Sequence, residues 1–359
     1  MKINPEKLSE TQLKEIKKIL IIQQKPFGDI LLNTGYFAEL RRHFPKAQID
    51  YLIQKPYKTI LEDNKHLNNM VLMDKPKGKG VKYFWAIIKA ILKIRKEKYD
   101  LVIDQLRGTS SMRFVLFSGI KYRLGWQYKK PLIRMGIKFN RWNWLYNLKA
   151  KKGPVRYYSR WKFDLLRPLG IEEVEHNIEY HVRNESFEYI KQWLKETDLD
   201  KEKIIGFTPG TPVKRKQWDL DYYAKLGDMI TEQLNFKIVI LWGPGEKEDA
   251  EYIQQKMKNQ AIIALPTTFN EAGAFLHSIK VLICNDGGIN HLAVSQEIPS
   301  IAIFGSSSNP EKWCASHKPI HLYLRDWNHK KSNDNTFNIS PEMVFEKLKN
   351  FLDSPYYKG

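Results

Sequence analysis

The sequence predicts an α/β chain built from two doubly wound, Rossmann-like parallel-sheet domains. Apolar runs of strand length alternate with helical-period segments from Lys18 onward, which is the pattern of βαβ units. A second series of the same kind opens after the helical segment Phe187–Glu196. With 359 residues the chain also exceeds one ordinary hydrophobic core. The expected division is a basic N-terminal domain over residues 1–180, a C-terminal domain over 181–340, and a helix with a tail over 341–359.

Residues 1–16 read as a short polar helix and Lys18–Gln23 as the first strand. After the loop Gln24–Phe27 and Gly28, the residues Ile30, Leu31, Leu32, Phe37, Leu40 and Phe44 recur at helical spacing. Asp29 is thereby placed at a helix N-terminus, where it is either an ordinary N-cap or a carboxylate kept ionised by the helix dipole and able to accept a proton. Strands are expected at Gln48–Ile53, Met70–Met73, Tyr99–Asp104 and Tyr122–Gly125. The intervening helices are expected around Lys58–Asp63, at Lys82–Lys96 and at Arg107–Phe117. Gln127–Tyr158 shows no clear period and reads as an irregular, basic, Trp-rich insertion facing outward. Phe163–Leu169 is a helix stopped by Gly170, and Ile171–Asn184 is the candidate linker.

In the second series, Phe187–Glu196 is helical and Lys203–Thr208 is a strand that runs into Pro209-Gly210-Thr211-Pro212. Lys214-Arg215-Lys216-Gln217-Trp218 follow, and Asp219 is expected to cap the next helix. Phe236–Trp242 is a strand ending in Gly243-Pro244-Gly245-Glu246. Helices at Lys247–Met257 and Asn270–His277 flank a strand at Ala261–Leu265. The stretch from Val281 to Asn309 then gives a strand, a glycine turn, a helix beginning near His291 and closed by Pro299, the strand Ser300–Phe304, and a small-residue loop over Gly305–Ser308. In the turn, Asp286, Gly287 and Gly288 could present backbone N–H groups to a phosphate at a helix N-terminus, or be an ordinary tight turn. Loops at the carboxyl ends of parallel strands are where open α/β sheets bind ligands. The strings Asp198-Leu199-Asp200 and Asp219-Leu220-Asp221 read as capping and surface acids that precede helices.

Charge is distributed unevenly. Lys and Arg number 59 against 40 Asp and Glu, a formal net charge of +19. Residues 1–180 hold 37 of the basic and 17 of the acidic residues, so the whole excess lies in the first half. Lys75–Arg167 has 25 basic and 4 acidic residues, interleaved with Trp85, Trp126, Trp142, Trp144, Tyr146 and Trp161. Beyond a merely solvated face, this pattern fits an anionic membrane surface, with tryptophans at headgroup level, or nucleic acid. The membrane is favoured for reasons that come from the second half of the chain, and no helix-turn-helix, RNP or zinc motif supports nucleic acid. Lys25, Arg107, Arg113, Trp142 and Trp144 are the candidates to face an acceptor or the membrane. Two cysteines, Cys284 and Cys314, without CxxC spacing give neither a disulfide framework nor a zinc site and fit a reducing cytoplasm. No secretory leader or bilayer-spanning run is read in the sequence.

Three blocks carry a resemblance: KILIIQQKPFGDILLNTGYFAELRRHFP near the start, FTPGTPVKRKQW in the middle and ICNDGGINHLAVSQEIPSIAIFGSSSNP near the end. In order and spacing over roughly residues 18–315 they resemble glycosyltransferase family 9, the ADP-heptose:lipopolysaccharide heptosyltransferases. The resemblance implies a GT-B fold, two Rossmann-like domains facing a cleft, with the acceptor held by the first and the nucleotide-sugar by the second. It also implies metal-independent transfer with inversion, no cofactor beyond ADP-heptose as donor substrate, a lipid-linked oligosaccharide acceptor, and a place on the cytoplasmic face of the inner membrane. By position, Asp29 matches the family's general base and Lys216 the cation that neutralises the leaving diphosphate. Asp286, Gly287, Gly288 and His291 match the phosphate-holding segment, and Thr211 lies in the donor-side loop. Glu246 resembles the acid that accepts ribose hydroxyls. Departures occur at Gln23, where the family commonly has Arg, and at Gly35, where Pro is frequent. The rival readings are another nucleotide-sugar transferase or epimerase on the same fold, and a basic nucleic-acid-binding protein.

Overall fold

The computed structural model describes residues 7–358 except 75, 77, 79, 107–108, 128–131, 135–136, 140–143, 176 and 328–336. The chain divides into two units, Met1–Ile178 and Glu179–Gly359, a division that falls within the stretch Ile171–Asn184.

In the first unit the strands are β1 (Lys18–Ile22), β2 (Gln48–Gln54), β3 (Asn69–Met73), β4 (Leu101–Asp104), β5 (Tyr122–Trp126), the short pair β6 (Leu132–Arg134) and β7 (Ile137–Phe139), and β8 (Leu148–Ala150). The helices are α1 (Glu10–Glu15), α2 (Phe27–Asn33), α3 (Phe37–His43), α4 (Val81–Glu97), α5 (Thr109–Ser118), α6 (Tyr158–Trp161) and α7 (Phe163–Leu166). The second unit contributes β9 (Ile204–Thr208), β10 (Lys237–Ile240), β11 (Ile262–Ile263), β12 (Val281–Asn285), β13 (Ser300–Phe304) and β14 (His321–Arg325). With them come α8 (Asn184–Glu196), α9 (Leu220–Leu234), α10 (Lys247–Lys256), α11 (Phe269–Leu276), α12 (Gly288–Ser295), α13 (Pro310–Trp313) and α14 (Pro341–Leu352).

The strands build two six-stranded sheets with the orders β3-β2-β1-β4-β5-β8 and β11-β10-β9-β12-β13-β14, every pairing in them parallel. Continuous apolar runs such as Ile19–Ile22 and Ile301–Phe304 are what a strand covered by helices on both faces requires, and these residues are fully buried. In each unit the strand order reverses beside the first strand, between β1 and β4 and between β9 and β12. The crevice outside the carboxyl ends at such a reversal is the ligand position of doubly wound sheets.

Several expectations change. The helix foreseen from Ile30 to Phe44 is α2 and α3 joined by a 3-10 turn, Thr34–Tyr36. Gly35 in that turn lies against Ser159, whose Oγ would be 2.2 Å from an added Cβ, so a side chain there would have to turn the Ser159 hydroxyl aside. Asp29 is not the N-cap, which is Pro26; it is the third residue of α2, within its first turn. Lys55–Ile60 is a 3-10 helix where an α-helix was expected further on.

Segment 127–158 is not wholly an outward insertion: β8 within it adds to the sheet edge with Leu148 and Ala150 buried. A three-residue strand, with one apolar residue on either side of Lys149, is too short for a period to register. The sixth strand of the second sheet, β14, was missed for a similar reason, since Leu322 and Leu324 alternate with Tyr323 and Arg325 at an edge. α12 starts at Gly288, three residues before His291, and stops at Ser295, before Pro299. Asp219 does cap α9, its carboxylate accepting from the Asp221 N–H at 2.9 Å. Asp198 and Asp200 instead follow α8 and precede a strand, Asp198 in the left-handed region at φ 54°. Finally α14 packs on α9, placing Val344, Leu348 and Phe351 in the core of the second unit.

Candidate active site

The second unit carries its polar groups at the reversal between β9 and β12. Asn285, the last residue of β12, is 3% exposed, and its side chain works in both directions. Its Oδ1 accepts from the Trp218 N–H at 2.9 Å and its Nδ2 donates to the Pro209 carbonyl at 2.7 Å. Trp218 is itself fully buried and donates its indole N–H to the Ile339 carbonyl at 2.8 Å. Held at Pro209 and Trp218, the loop between them makes a 3-10 turn, Lys214–Lys216. Lys214 pairs with Asp249 at 2.9 Å, whereas Lys216 reaches the end of β12 and places its Nζ 2.6 Å from Asp286 Oδ2. The Asp286 side chain is 5% exposed and that of Lys216 26%, so the acid is sealed and the ammonium still meets solvent.

α12 begins directly after this pair. Gly287 occupies the N-cap without a side-chain cap, so the first amides of the helix have no partner within it or from the cap. An added Cβ on Gly287 would meet nothing nearer than the Asn285 carbonyl at 3.9 Å, which leaves the space beside the backbone open. Uncapped amides, a helix dipole and a solvent-touching ammonium together favour an anion.

His291 lies in the same helix, 3% exposed, with its ring 6.2 Å from that of Trp313. Burial holds its pKa down to about 4, against a smaller upward pull from Asp286 and with a further downward push from Lys216. At neutral pH the imidazole is therefore uncharged and can act on a ligand as a hydrogen-bond donor, not as a cation.

Two further loops adjoin. Thr211 is buried, and its Oγ1 accepts from the Val213 N–H at 3.3 Å. Glu246, at the N-cap position of α10, turns its Oε2 back onto the Gly243 N–H at 3.0 Å. Burial raises its carboxyl above the ordinary value, and the Gly243 N–H works against that shift. The same carboxylate lies over Gly210, where a Cβ would be 2.1 Å from Oε2 and 2.8 Å from the Glu246 Cβ. Gly210 is thus a close-approach glycine that brings the loop after β9 against the loop after β10. A wide hollow of about 710 Å³ runs along the outer edge of this sheet, lined by Trp242, Glu251, Ile262 and Pro266 among others. Its only basic lining residue is Lys247, and it lies beyond β10, so the charge at the reversal marks the better site.

In the first unit, Asp29 follows β1 at the corresponding reversal, half-buried in the first turn of α2. Its charge adds to the burial that raises the nearby Tyr51 phenol, and Tyr51 in turn accepts from Asn33 Nδ2 at 2.8 Å. Lys25 is exposed on the same loop, and its carbonyl accepts from the buried Gln23 side chain at 2.8 Å, so Gln23 serves the loop's shape. Arg113 donates to the Tyr83 hydroxyl at 2.8 Å and to the Ser110 carbonyl at 3.1 Å, which spends it on tying α5 to α4. Trp144 is 62% exposed. Arg107 and Trp142 lie outside the described residues.

One residue at this end escaped the sequence reading. Asp104, the last residue of β4, is fully buried and accepts from the Leu106 N–H at 2.9 Å, the Ser111 hydroxyl at 2.8 Å and the Tyr146 hydroxyl at 2.6 Å. Burial pushes its pKa up to about 6 against the pull of these donors and of Lys162. An acid closing an apolar strand was the available signal. Asn285 and Gly210 gave none, because their roles depend on loops far away in sequence. Among the described residues no group of three His, Cys, Asp or Glu side chains is arranged to hold a metal ion.

Two doubly wound parallel units of this strand order are the GT-B architecture, a fold shared by glycosyltransferases and sugar-nucleotide epimerases. Residues 87–339 match the model of glycosyltransferase family 9 (heptosyltransferase), and the chain belongs to that family. It is 24% identical to lipooligosaccharide heptosyltransferase 2 of Haemophilus influenzae, over 93% of this chain and 99% of that one. Among solved structures, the family 9 glycosyltransferase from Veillonella parvula superposes with a TM-score of 0.77 at 20% identity, covering 94% of this chain and 97% of the other. ADP-heptose lipopolysaccharide heptosyltransferase II of Escherichia coli gives 0.70 at 19% identity, with 93% and 98% covered.

Proposed function

We propose that this glycosyltransferase moves a heptose from ADP-heptose to a lipid A-linked inner-core acceptor of lipopolysaccharide, with inversion at the anomeric carbon and without a metal ion or further cofactor. The observation that carries the reading is the Lys216 ammonium held beside the uncapped N-terminus of α12, a ready seat for a diphosphate. The names of the family 9 relatives support the choice of sugar and acceptor.

Residues 1–180 would hold the acceptor and 181–340 the donor. Asp29 removes the proton of the acceptor hydroxyl as that oxygen attacks the anomeric carbon. The bond from that carbon to the β-phosphate oxygen breaks, and ADP leaves with the electron pair. Lys216 and the amides opening α12, including those of Gly287 and Gly288, take up the charge that develops there. Asp286 acts on Lys216 rather than on phosphate, because a carboxylate has no proton to offer an ionised oxygen. Neutral His291 donates a hydrogen bond, Glu246 accepts from ribose hydroxyls, and Thr211 shapes the loop between them.

A lipid-linked acceptor implies work at an anionic leaflet. We assign the chain to the inner face of the cytoplasmic membrane as a peripheral protein, with Lys25 and Trp144 toward acceptor or lipid. Among the described residues no helix is long and apolar enough to cross a membrane. Incubating defined lipid A–core acceptors with ADP-heptose and measuring the acceptor's mass tests the reading. Addition of one heptose is expected; no mass change, together with selective thermal stabilisation by UDP over ADP, would transfer the chain to another nucleotide-sugar.

A further inference from the structure

α4 is apolar on two sides. Its inward side puts Ala86, Ile87, Ala90 and Ile94 into the core of the first unit. Its outward side should be polar in a helix packed on one face. Instead Val81 is 72% exposed, Phe84 58%, Trp85 54% and Leu92 60%. At helical spacing these residues form one stripe, with Lys82, Lys89, Lys93 and Lys96 exposed along one flank of it.

The stripe continues onto α5, which lies beside α4. Arg95 donates to the Phe117 carbonyl at 3.2 Å, joining the ends of the two helices, and Leu116 and Phe117 are themselves 42% and 54% exposed. Leu116 then shares a shallow groove of about 220 Å³ with Trp144.

An apolar face of this extent is unfavourable in water and marks a surface that something covers. We infer that the outward face of α4, continued by the end of α5, is where this chain lies on an anionic lipid bilayer, an inference that rests on the membrane-borne acceptor proposed above. The charge on the face selects this occupant. Lysines flanking aromatic and aliphatic side chains match lipid phosphates above acyl chains. A second copy would set two lysine-rich faces against each other, which like-charge repulsion opposes. Nucleic acid would use the aromatics for stacking but gains nothing from Val81, Leu92 and Leu116.

Vesicle flotation of the full chain tests the face, with phosphatidylglycerol-rich vesicles compared with pure phosphatidylcholine. The wild type is expected to float with the first and not with the second. F84S/W85S and K89E/K93E, at unchanged Tm, are each expected to lose about tenfold or more in partitioning to the anionic vesicles. Both should keep wild-type turnover on a de-acylated, water-soluble acceptor. Wild-type flotation by both variants would overturn the inference. So would a wild type that ignores both vesicles while F84S/W85S converts a dimer to a monomer in sedimentation. Absence of turnover on the soluble acceptor, with flotation and its loss intact, upholds the face and sinks the transfer reading.

Discussion

Lys216 Nζ lies 2.6 Å from Asp286 Oδ2, an ion pair whose acid is sealed and whose cation is partly open to solvent. The pair spans 70 residues of sequence, and its geometry comes from Asn285 fastening Trp218 beside it. An ammonium fixed this way needs no reorganisation when charge appears on a leaving phosphate. Lys216→Ala is therefore expected to lower kcat by about a hundredfold and to weaken ADP binding measured by calorimetry. Unchanged values for both would remove the leaving-group role.

Asp29 separates from Lys216 in effect. Its place in the first turn of α2 sets its carboxylate at the positive end of the helix dipole. Asp29→Ala is expected to cut transfer by at least about a thousandfold while ADP affinity stays near that of the wild type. Full turnover in this variant would take Asp29 out of the mechanism.

Gly210 offers a test of Glu246 that leaves the carboxylate in the sequence. A methyl at 210 would stand 2.1 Å from Glu246 Oε2 and 2.8 Å from its Cβ, so the whole side chain must move. Gly210→Ala is expected to raise KM for the donor by about tenfold or more, the worth of one or two hydrogen bonds, with little change in KM for the acceptor. Equal donor KM in both proteins would show that the position of Glu246 is immaterial.

The pH dependence of stability follows from two buried histidines in the second unit. Burial holds His291 at about 4 and His321 at about 3, whereas both return to about 6.5 on unfolding. Below pH 6.5 the unfolded chain binds protons that the folded one refuses, so stability falls with decreasing pH down to these values, by on the order of 3 kcal/mol for His291. His321 is the cleaner probe, since its Nε2 is buried without a hydrogen-bond partner and its Nδ1 meets Ser300 Oγ at 3.0 Å. Thermal melts between pH 7 and pH 4.5 should show a shallower loss of Tm in His321→Asn than in the wild type; parallel slopes would sink the assignment. Asp104 in the first unit acts in the opposite sense. Raised to about 6, it gains stability for the folded state as pH falls through that value.

The parts of the site that were legible in the sequence are those where a local pattern carries the physics. Asp286-Gly287-Gly288 after an apolar strand announces a strand-to-helix turn whatever surrounds it, whereas Lys216, two residues before Trp218, was reached only through the resemblance to the family block. The edge strands β8 and β14 were not legible, because three to five residues alternating with charges give no stretch long enough to show a period. Asp29 was read at the right end of its helix but as a possible cap, since the position of Pro26 relative to the first hydrogen-bonded turn is set by the backbone path and not by residue type.

What the sequence by itself determined is the alternation of strands and helices, the concentration of positive charge in residues 1–180, and the family blocks. These follow from periodicity, composition and short motifs, all of which are local. Only the tertiary structure decided that Asn285 positions Lys216, that Gly210 exists to admit Glu246, and that α4 turns Phe84, Trp85 and Leu92 away from the core. Each of these depends on which distant segment folding brings to a given surface, and a residue's neighbours in space are not written in its neighbours along the chain.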